Sequence, residues 1–227
     1  MQSIARSMAG GRTVHVAWTD RADGDLAIGV DPARLDADRR AVIDRPWVWL
    51  RQVHGRDVVE VADGDARCGS EADALVTRRD DVALAVHSAD CAVLGLWSDD
   101  GVIAAVHCGW RGLEAGVVDA AVDALRSRSD GALSAVLGPS IGSECYEFGA
   151  VELDRLRASL GEVVVATTTA GTPALDVRAG VRSRLASLGV DLVAADDRCT
   201  SCEADTFFSH RARSETGRQA LVVWMDR

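Results

Sequence analysis

Short apolar runs recur along the chain with few polar interruptions, and most are too brief for helices. TVHVAW from Thr13, WVWLRQV from Trp47, DVVEV from Asp57, ALVT from Ala74 and VALAVHS from Val82 each read as a strand. AVLGLW and VIAAVHC follow, joined by the turn-forming stretch Ser98-Asp99-Asp100-Gly101, so this pair reads as a hairpin. The period changes after residue 112: Leu113, Val117, Val118, Ala121 and Leu125 share one face of a helix over 113–126. Helical spacing returns over 149–160 and 176–188, while strand patterns occupy 133–137, 162–167, 190–194 and 220–225. Strands and helices alternate irregularly, which points to an α+β fold rather than a doubly wound sheet. The expected architecture is a layered sandwich of mixed β-sheets flanked by helices. No internal repeat, low-complexity tract or linker divides the chain, so residues 1–227 form one expected domain.

With 227 residues, 48% of them hydrophobic, the chain can bury a sizeable core. A formal net charge of -10 offers no electrostatic footprint for a nucleic-acid backbone or an anionic bilayer, so neither is an expected partner. Any anion must be held by a local site. No apolar run approaches the ~20 residues that span a membrane, and the start, MQSIARSMAGGRTVHVAW, lacks a signal-like apolar segment. A cytoplasmic location is therefore expected. The six cysteines are too few for a disulfide scaffold at this length and are read as free thiols or metal ligands.

Chemistry concentrates at strand ends. The chain has only five histidines, yet His54, His87 and His107 stand with Cys91 where apolar runs stop. Two imidazoles and one thiolate suit an open zinc site, in which a fourth position is left to water or substrate. Spacing alone does not choose which two histidines take part: His87 and Cys91 are close in sequence, whereas His54 and His107 each lie just ahead of a glycine. The competing reading is that all of them are packed core residues. In HCGWRGLEAG, residues 107–116, Gly109, Arg111 and Gly112 lead into a helix, so backbone N–H groups and a guanidinium there form a candidate phosphate seat. The alternative is a surface arginine beside glycines that only turn the chain. GPSIG, residues 138–142, is a candidate pocket-lining loop, and Tyr146 a candidate ring for stacking on a base. Asp73 and Asp90 are candidates for orienting a ligand imidazole or a nearby loop, against the commoner fate of a solvated carboxylate. CTSC, residues 199–202, has no second CxxC to complete a zinc site and lacks a thioredoxin-like context, so it reads as structural.

Several motifs, in order, carry a family resemblance: QVHG at 52–55, EADALVT at 71–77, SADC at 88–91, HCGWRG at 107–112, GPSIGSECYEFG at 138–149 and DRCTSCEADTFFSHRARSETGR at 197–218. The chain resembles the YfiH-like family, also called the laccase-domain or polyphenol oxidase family, whose members are described as purine nucleoside phosphorylases. The resemblance is strongest over 47–227. It implies that His54, Cys91 and His107 are the metal-binding and catalytic trio, with zinc expected and copper less so, and that His87 is a strand residue. It further implies phosphorolysis of purine nucleosides (adenosine, inosine, guanosine or methylthioadenosine), with adenosine deamination as a second activity. Arg111, Gly109, Gly112 and Tyr146 are then the expected phosphate- or substrate-binding residues, and nucleoside and phosphate the partners. The chain departs from the family at Ala92-Val93 and Cys108, and in an N-terminal loop recognisable only at Arg21 and Gly24. Two other chemistries fit the same residues: a cysteine-type hydrolase of an amide such as a peptidoglycan precursor, with Cys91 as nucleophile and His107 as base, and a copper-dependent, laccase-like polyphenol oxidase. Multicopper chemistry, however, calls for more than five histidines.

Overall fold

The computed structural model describes residues 1–62 and 67–227. In chain order it runs β1 (Gln2–Ser7), β2 (Thr13–Trp18), α1 (Pro32–Val42), β3 (Trp47–Arg51), β4 (Val58–Glu60), β5 (Ser70–Glu71), β6 (Ala74–Thr77), β7 (Ala83–Ser88), β8 (Ala92–Ser98) and β9 (Ile103–Cys108). It continues through α2 (Trp110–Ala115), α3 (Val117–Arg126), β10 (Leu133–Leu137), α4 (Ala150–Leu160), β11 (Val165–Thr167), β12 (Pro173–Leu175), α5 (Val177–Ser187), β13 (Asp191–Ala195), α6 (His210–Arg213) and β14 (Gln219–Asp226).

Two six-stranded mixed sheets stack face to face, ordered β1-β2-β14-β7-β3-β5 and β13-β10-β8-β9-β6-β4. The expected α+β sandwich is what forms. Alternation along single strands builds the layers. In β8, Val93 and Trp97 point between the sheets, where they meet Val16, Leu84, Val86, Leu221 and Val223. Leu94 and Leu96 of the same strand point the other way, against Val117, Val118, Ala121 and Leu125 of α3 and Val181 and Leu185 of α5. The outer face of the first sheet carries Ala17, Ala83, Ala85 and Val222, covered by Leu26 and by Leu35 of α1. Between the sheets, Gly95 faces Val16: a Cβ there would lie 2.7 Å from Val16 Cγ1 and 3.2 Å from Val223 Cγ2.

The structure departs from the sequence pattern in several places. The predicted helix 113–126 is two helices, α2 and α3, broken at Gly116, whose φ of 88° is left-handed. The strand predicted over 162–167 is a 3-10 turn at Glu162–Val164 followed by β11. Helix α1 carries no apolar stripe because it buries only Leu35, and it is instead specified by its cap: Asp31 accepts from Arg34 N at 3.0 Å, with Pro32 at the first helical position. Strand β1 is an exposed edge whose residues pair with β2 but bury almost nothing. Both escape a periodicity test because neither depends on a buried face. No helix among the described residues is long and apolar enough to cross a membrane.

Candidate active site

Three strand ends meet at one end of the sandwich, and each delivers a side chain. His107 closes β9 on the side shared with Ile103 and Ala105, so it faces the space between the sheets at the point where their packing ends. His54 sits in the turn after β3 with φ of 60°, a conformation rare for a residue with a Cβ. Cys91 follows Asp90, whose φ is 99°, in the turn between β7 and β8. The His54 Nε2 to Cys91 Sγ distance is 3.8 Å, the His54 and His107 rings lie 4.9 Å apart edge to face, and one ligand atom from each of the three residues falls within 4.8 Å of the others.

Asp73 organises this turn and this ring together. Its buried carboxylate accepts from the backbone N–H of Val53 at 3.3 Å, His54 at 2.9 Å and Gly55 at 2.6 Å, which holds the left-handed turn closed. The same carboxylate lies 2.8 Å from His107 Nδ1, and its backbone oxygen accepts from His107 N at 2.8 Å. His107 is thus fixed in ring and main chain, with Nε2 turned toward Cys91. Burial alone would raise the Asp73 carboxyl, but the His107 hydrogen bond and the backbone donors outweigh it and hold the group below its ordinary range. Burial likewise opposes the Cys91 thiolate, yet the His107 charge and hydrogen bonds from His107 and His54 bring the thiol down to about 6. Burial depresses His107, and the Cys91 thiolate and Asp73 more than reverse this, to about 9. Gly109 is required by closeness: a Cβ there would lie 2.7 Å from His54 Cδ2 and 3.0 Å from Cys91 Sγ. Gly112 is held as closely, its Cβ position 3.0 Å from the Gly55 carbonyl oxygen.

Asp90 is the second organiser. One of its oxygens accepts from Thr200 Oγ1 at 2.7 Å and the other from Arg211 N at 2.6 Å, while Ile141 N donates to its carbonyl at 2.9 Å. Ser88 Oγ donates to the Cys91 carbonyl at 2.6 Å. The GPSIG loop therefore braces the Cys91 turn from behind and is not part of the cavity wall.

The trio opens into a cavity of about 470 Å³ whose wall includes Ile28, Gln52, His87, Thr216 and Arg218. Arg111 is not in this wall. Its side chain is exposed and lies over the Trp110 ring, 4.3 Å from the centroid, at the start of a helix only six residues long. Tyr146 is also outside the wall, packed edge to face on Phe148 with Arg211 over its ring at 4.8 Å. Burial and the nearby Cys91 charge push its hydroxyl up to about 12. The N-terminal segment, which departs from the family at its loop, nonetheless reaches the cavity through Ala27 and Ile28.

His87 lies in β7, outside the trio, but it lines the cavity. It is 5% exposed, both of its ring nitrogens lack a partner among the described residues, and burial followed by the charges of Arg39, His107 and Arg218 lowers it to about 3. It is a neutral imidazole with its hydrogen-bonding capacity unspent. Gln52 grips its main chain, accepting from His87 N and donating to His87 O, both at 2.7 Å. The sequence assigns no role to Gln52, Ile28 or Thr216; Gln52 falls in QVHG and Thr216 in the 197–218 motif, while Ile28 falls in none.

The sequence matches the family described as multi-copper polyphenol oxidoreductase laccase over residues 18–226. A Mycobacterium tuberculosis protein named purine nucleoside phosphorylase is 39% identical over 246 residues, covering 98% of this chain and 97% of that protein. Escherichia coli YfiH, under the same activity name, is 37% identical over 180 residues, covering 78% of this chain and 73% of its own length. Among solved structures, a Neisseria meningitidis protein aligns over 100% of both chains with a TM-score of 0.83 and 27% identity. YlmD from Geobacillus stearothermophilus aligns over 96% of this chain and 93% of its own, with a TM-score of 0.80 and 26% identity. With its fold, its motifs and nearly its whole length shared in this way, the chain belongs to the laccase-like YfiH family.

Proposed function

We propose that the protein is a purine nucleoside phosphorylase that uses a zinc ion held by His54, Cys91 and His107, with adenosine, inosine, guanosine or methylthioadenosine as substrates. The observation that carries this reading is the convergence of the three ligand atoms within 4.8 Å at the end of a cavity of about 470 Å³. The activity name of the relatives supports it. The trio suits a zinc-class cation, because tetrahedral sulfur and nitrogen ligands at ordinary bond lengths sit about 3.6 Å apart, close to the 3.8 Å between His54 and Cys91. When bound, such a cation supplies Lewis-acid polarisation of an oxygen on phosphate or water.

The chain's own residues do the rest. Asp73 holds His107 in the tautomer that presents Nε2 inward, and Cys91 contributes negative charge. His87, neutral and unpartnered, offers one donor and one acceptor to the edge of a base. Arg218, in the cavity wall, takes the phosphate in this reading, in place of the Arg111 seat expected from the sequence. In the reaction the bond from the sugar carbon to the base nitrogen breaks, a bond from that carbon to a phosphate oxygen forms, and the base leaves with a proton. With water attacking the purine ring instead, a bond from the ring carbon to the water oxygen would form, the bond to the exocyclic amine would break, and ammonia would leave to give inosine.

The test is chromatography of adenosine incubated with and without phosphate. Adenine should appear only with phosphate, and His54→Ala and Cys91→Ala should each lose more than the 10–100-fold that removing an orienting partner typically costs. Arg218→Lys should raise the apparent KM for phosphate and Arg111→Lys should not. A protein with no phosphate-dependent release of base from any of the four nucleosides is not a phosphorylase.

One observation favours a second reading. Cys91, His107 and Asp73 also form a nucleophile–base–orienter row, with the thiol lowered to about 6, as a cysteine amide hydrolase requires. Elemental analysis separates the two: the hydrolase reading needs the purified protein to lack metal and Cys91 to react rapidly with iodoacetamide. A copper oxidase draws least support, since three ligand residues make one site and the chain has five histidines in all. Copper in the same elemental analysis would revive it.

A further inference from the structure

A second group of soft ligands lies behind the Cys91 turn, away from the cavity. Cys199 and Cys202 form the two ends of the CTSC turn, read from sequence as an incomplete half-site. The missing half is supplied by a different loop. Glu144 and Cys145, in the 3-10 turn Ser143–Cys145 after β10, face the CTSC turn so that ligand atoms of all four residues fall within 4.8 Å of one another. The Cys145 and Cys202 sulfurs are 3.3 Å apart, and Cys202 Sγ lies 3.7 Å from Glu144 Oε1. On a tetrahedral ion with metal–sulfur bonds of about 2.3 Å, thiolates stand about 3.8 Å apart, so the cluster needs only small side-chain adjustments to enclose one.

We propose that Cys145, Cys199, Cys202 and Glu144 form a second, structural site for a soft divalent cation of the zinc class. The backbone is already arranged for it. Cys199 Sγ accepts a hydrogen bond from Gly142 N at 3.1 Å, so the main chain already orients the first sulfur of the CxxC turn toward the cluster. Three sulfurs and a carboxylate packed together cannot all be anionic without a cation among them. Binding replaces three S–H bonds with three sulfur–metal bonds and releases three protons to water, while the Glu144 carboxylate supplies the fourth donor. Copper(I) would take the thiolates equally well, but the carboxylate favours zinc.

The site acts as a strut. Thr200, inside the CTSC turn, is the residue that donates to Asp90 beside Cys91, and Tyr146 directly follows Cys145. None of the four ligands lines the candidate active-site cavity. A cation there ties the loop after β10 to the loop after β13, and through Thr200 it sets the turn that carries Cys91.

The experiment uses full-length protein prepared under reducing conditions, loaded with zinc or cobalt(II) and desalted. In a background with His54→Ala and Cys91→Ala, which disables the first site, about one zinc per chain should remain, and cobalt(II) should show intense sulfur-to-metal charge-transfer absorption. Adding Cys145→Ser and Cys202→Ser, both at partly accessible positions, should abolish that zinc and that absorption while circular dichroism stays unchanged. If the first-site reading is wrong, the background substitutions remove no metal, yet the two serine substitutions still must. The proposal is overturned if the background protein takes up no zinc or cobalt, or if its metal survives both serine substitutions. It is equally overturned if Cys145 and Cys202 are isolated as a disulfide that binds no metal after reduction, which would assign the pair to redox chemistry.

Discussion

Asp73 and His87 show opposite uses of a buried polar side chain. Every acceptor direction of Asp73 is taken, by three backbone N–H groups and the His107 ring. Asp73→Asn removes the charge and the fixed tautomer, so metal affinity at the trio should fall about 10–100-fold, read by competition against a chelator. An unchanged affinity in a folded variant would mean that Asp73 closes the turn and nothing more. His87 has no such partners among the described residues, and leaving its two nitrogens buried and unbonded costs stability. His87→Leu should therefore leave the melting temperature unchanged or raise stability by up to about 1 kcal/mol, while the KM for nucleoside rises. A variant that melts several degrees lower with the same KM would make His87 a packing residue. Asp73 falls in EADALVT and His87 in the apolar run VALAVHS, but sequence could not rank them, because which partners surround a side chain is a property of three separate strands.

At the scale of elements, the strands that carry the site were legible because both of their faces are buried. β6 to β9 read as near-continuous apolar runs for that reason, and their ends located His107 and Cys91. α1 and β1 were not legible, since one buries a single residue and the other is an edge. The break at Gly116 was also hidden, because Leu113 and Val117 both remain buried on either side of it. Between the sheets, Gly95 leaves the room that Val16 and Val223 occupy. Gly95→Ala puts a methyl group 2.7 Å from Val16 Cγ1 and should cost about 1–3 kcal/mol as overpacking, measured by denaturant unfolding. A cost near zero would show that the sheets separate freely at that point.

Across the whole molecule, the two ends of the chain are joined beside the cavity. Glu215 pairs with Arg21 from the N-terminal segment and with Arg213 at 3.0 Å, and accepts from Ser209 N at 2.7 Å. Burial opposes the carboxylate, but these donors outweigh it and lower the carboxyl from 4.5 to about 2. A depressed carboxyl contributes stability that is complete above its ordinary value and is lost as the pH falls through the folded-state value. Glu215→Gln should thus lower stability by roughly 1 kcal/mol at neutral pH, an allowance already reduced for solvent screening. It should also flatten the acid loss of stability between pH 4.5 and about 2. An identical acid profile in parent and variant would show that the bridge holds nothing.

Sequence by itself determined the layer type, the strands whose ends carry chemistry and, through ordered motifs, the family. These are local properties: alternation, run length and residue identity persist wherever the chain goes. Tertiary structure decided which guanidinium reaches the cavity, putting Arg218 in the wall and Arg111 over Trp110. It also completed the CTSC half-site with Glu144 and Cys145, which arrive on another loop. Side chains far apart in sequence meet only when the sheets stack, and their meeting leaves no periodic trace in the strands that bring them there.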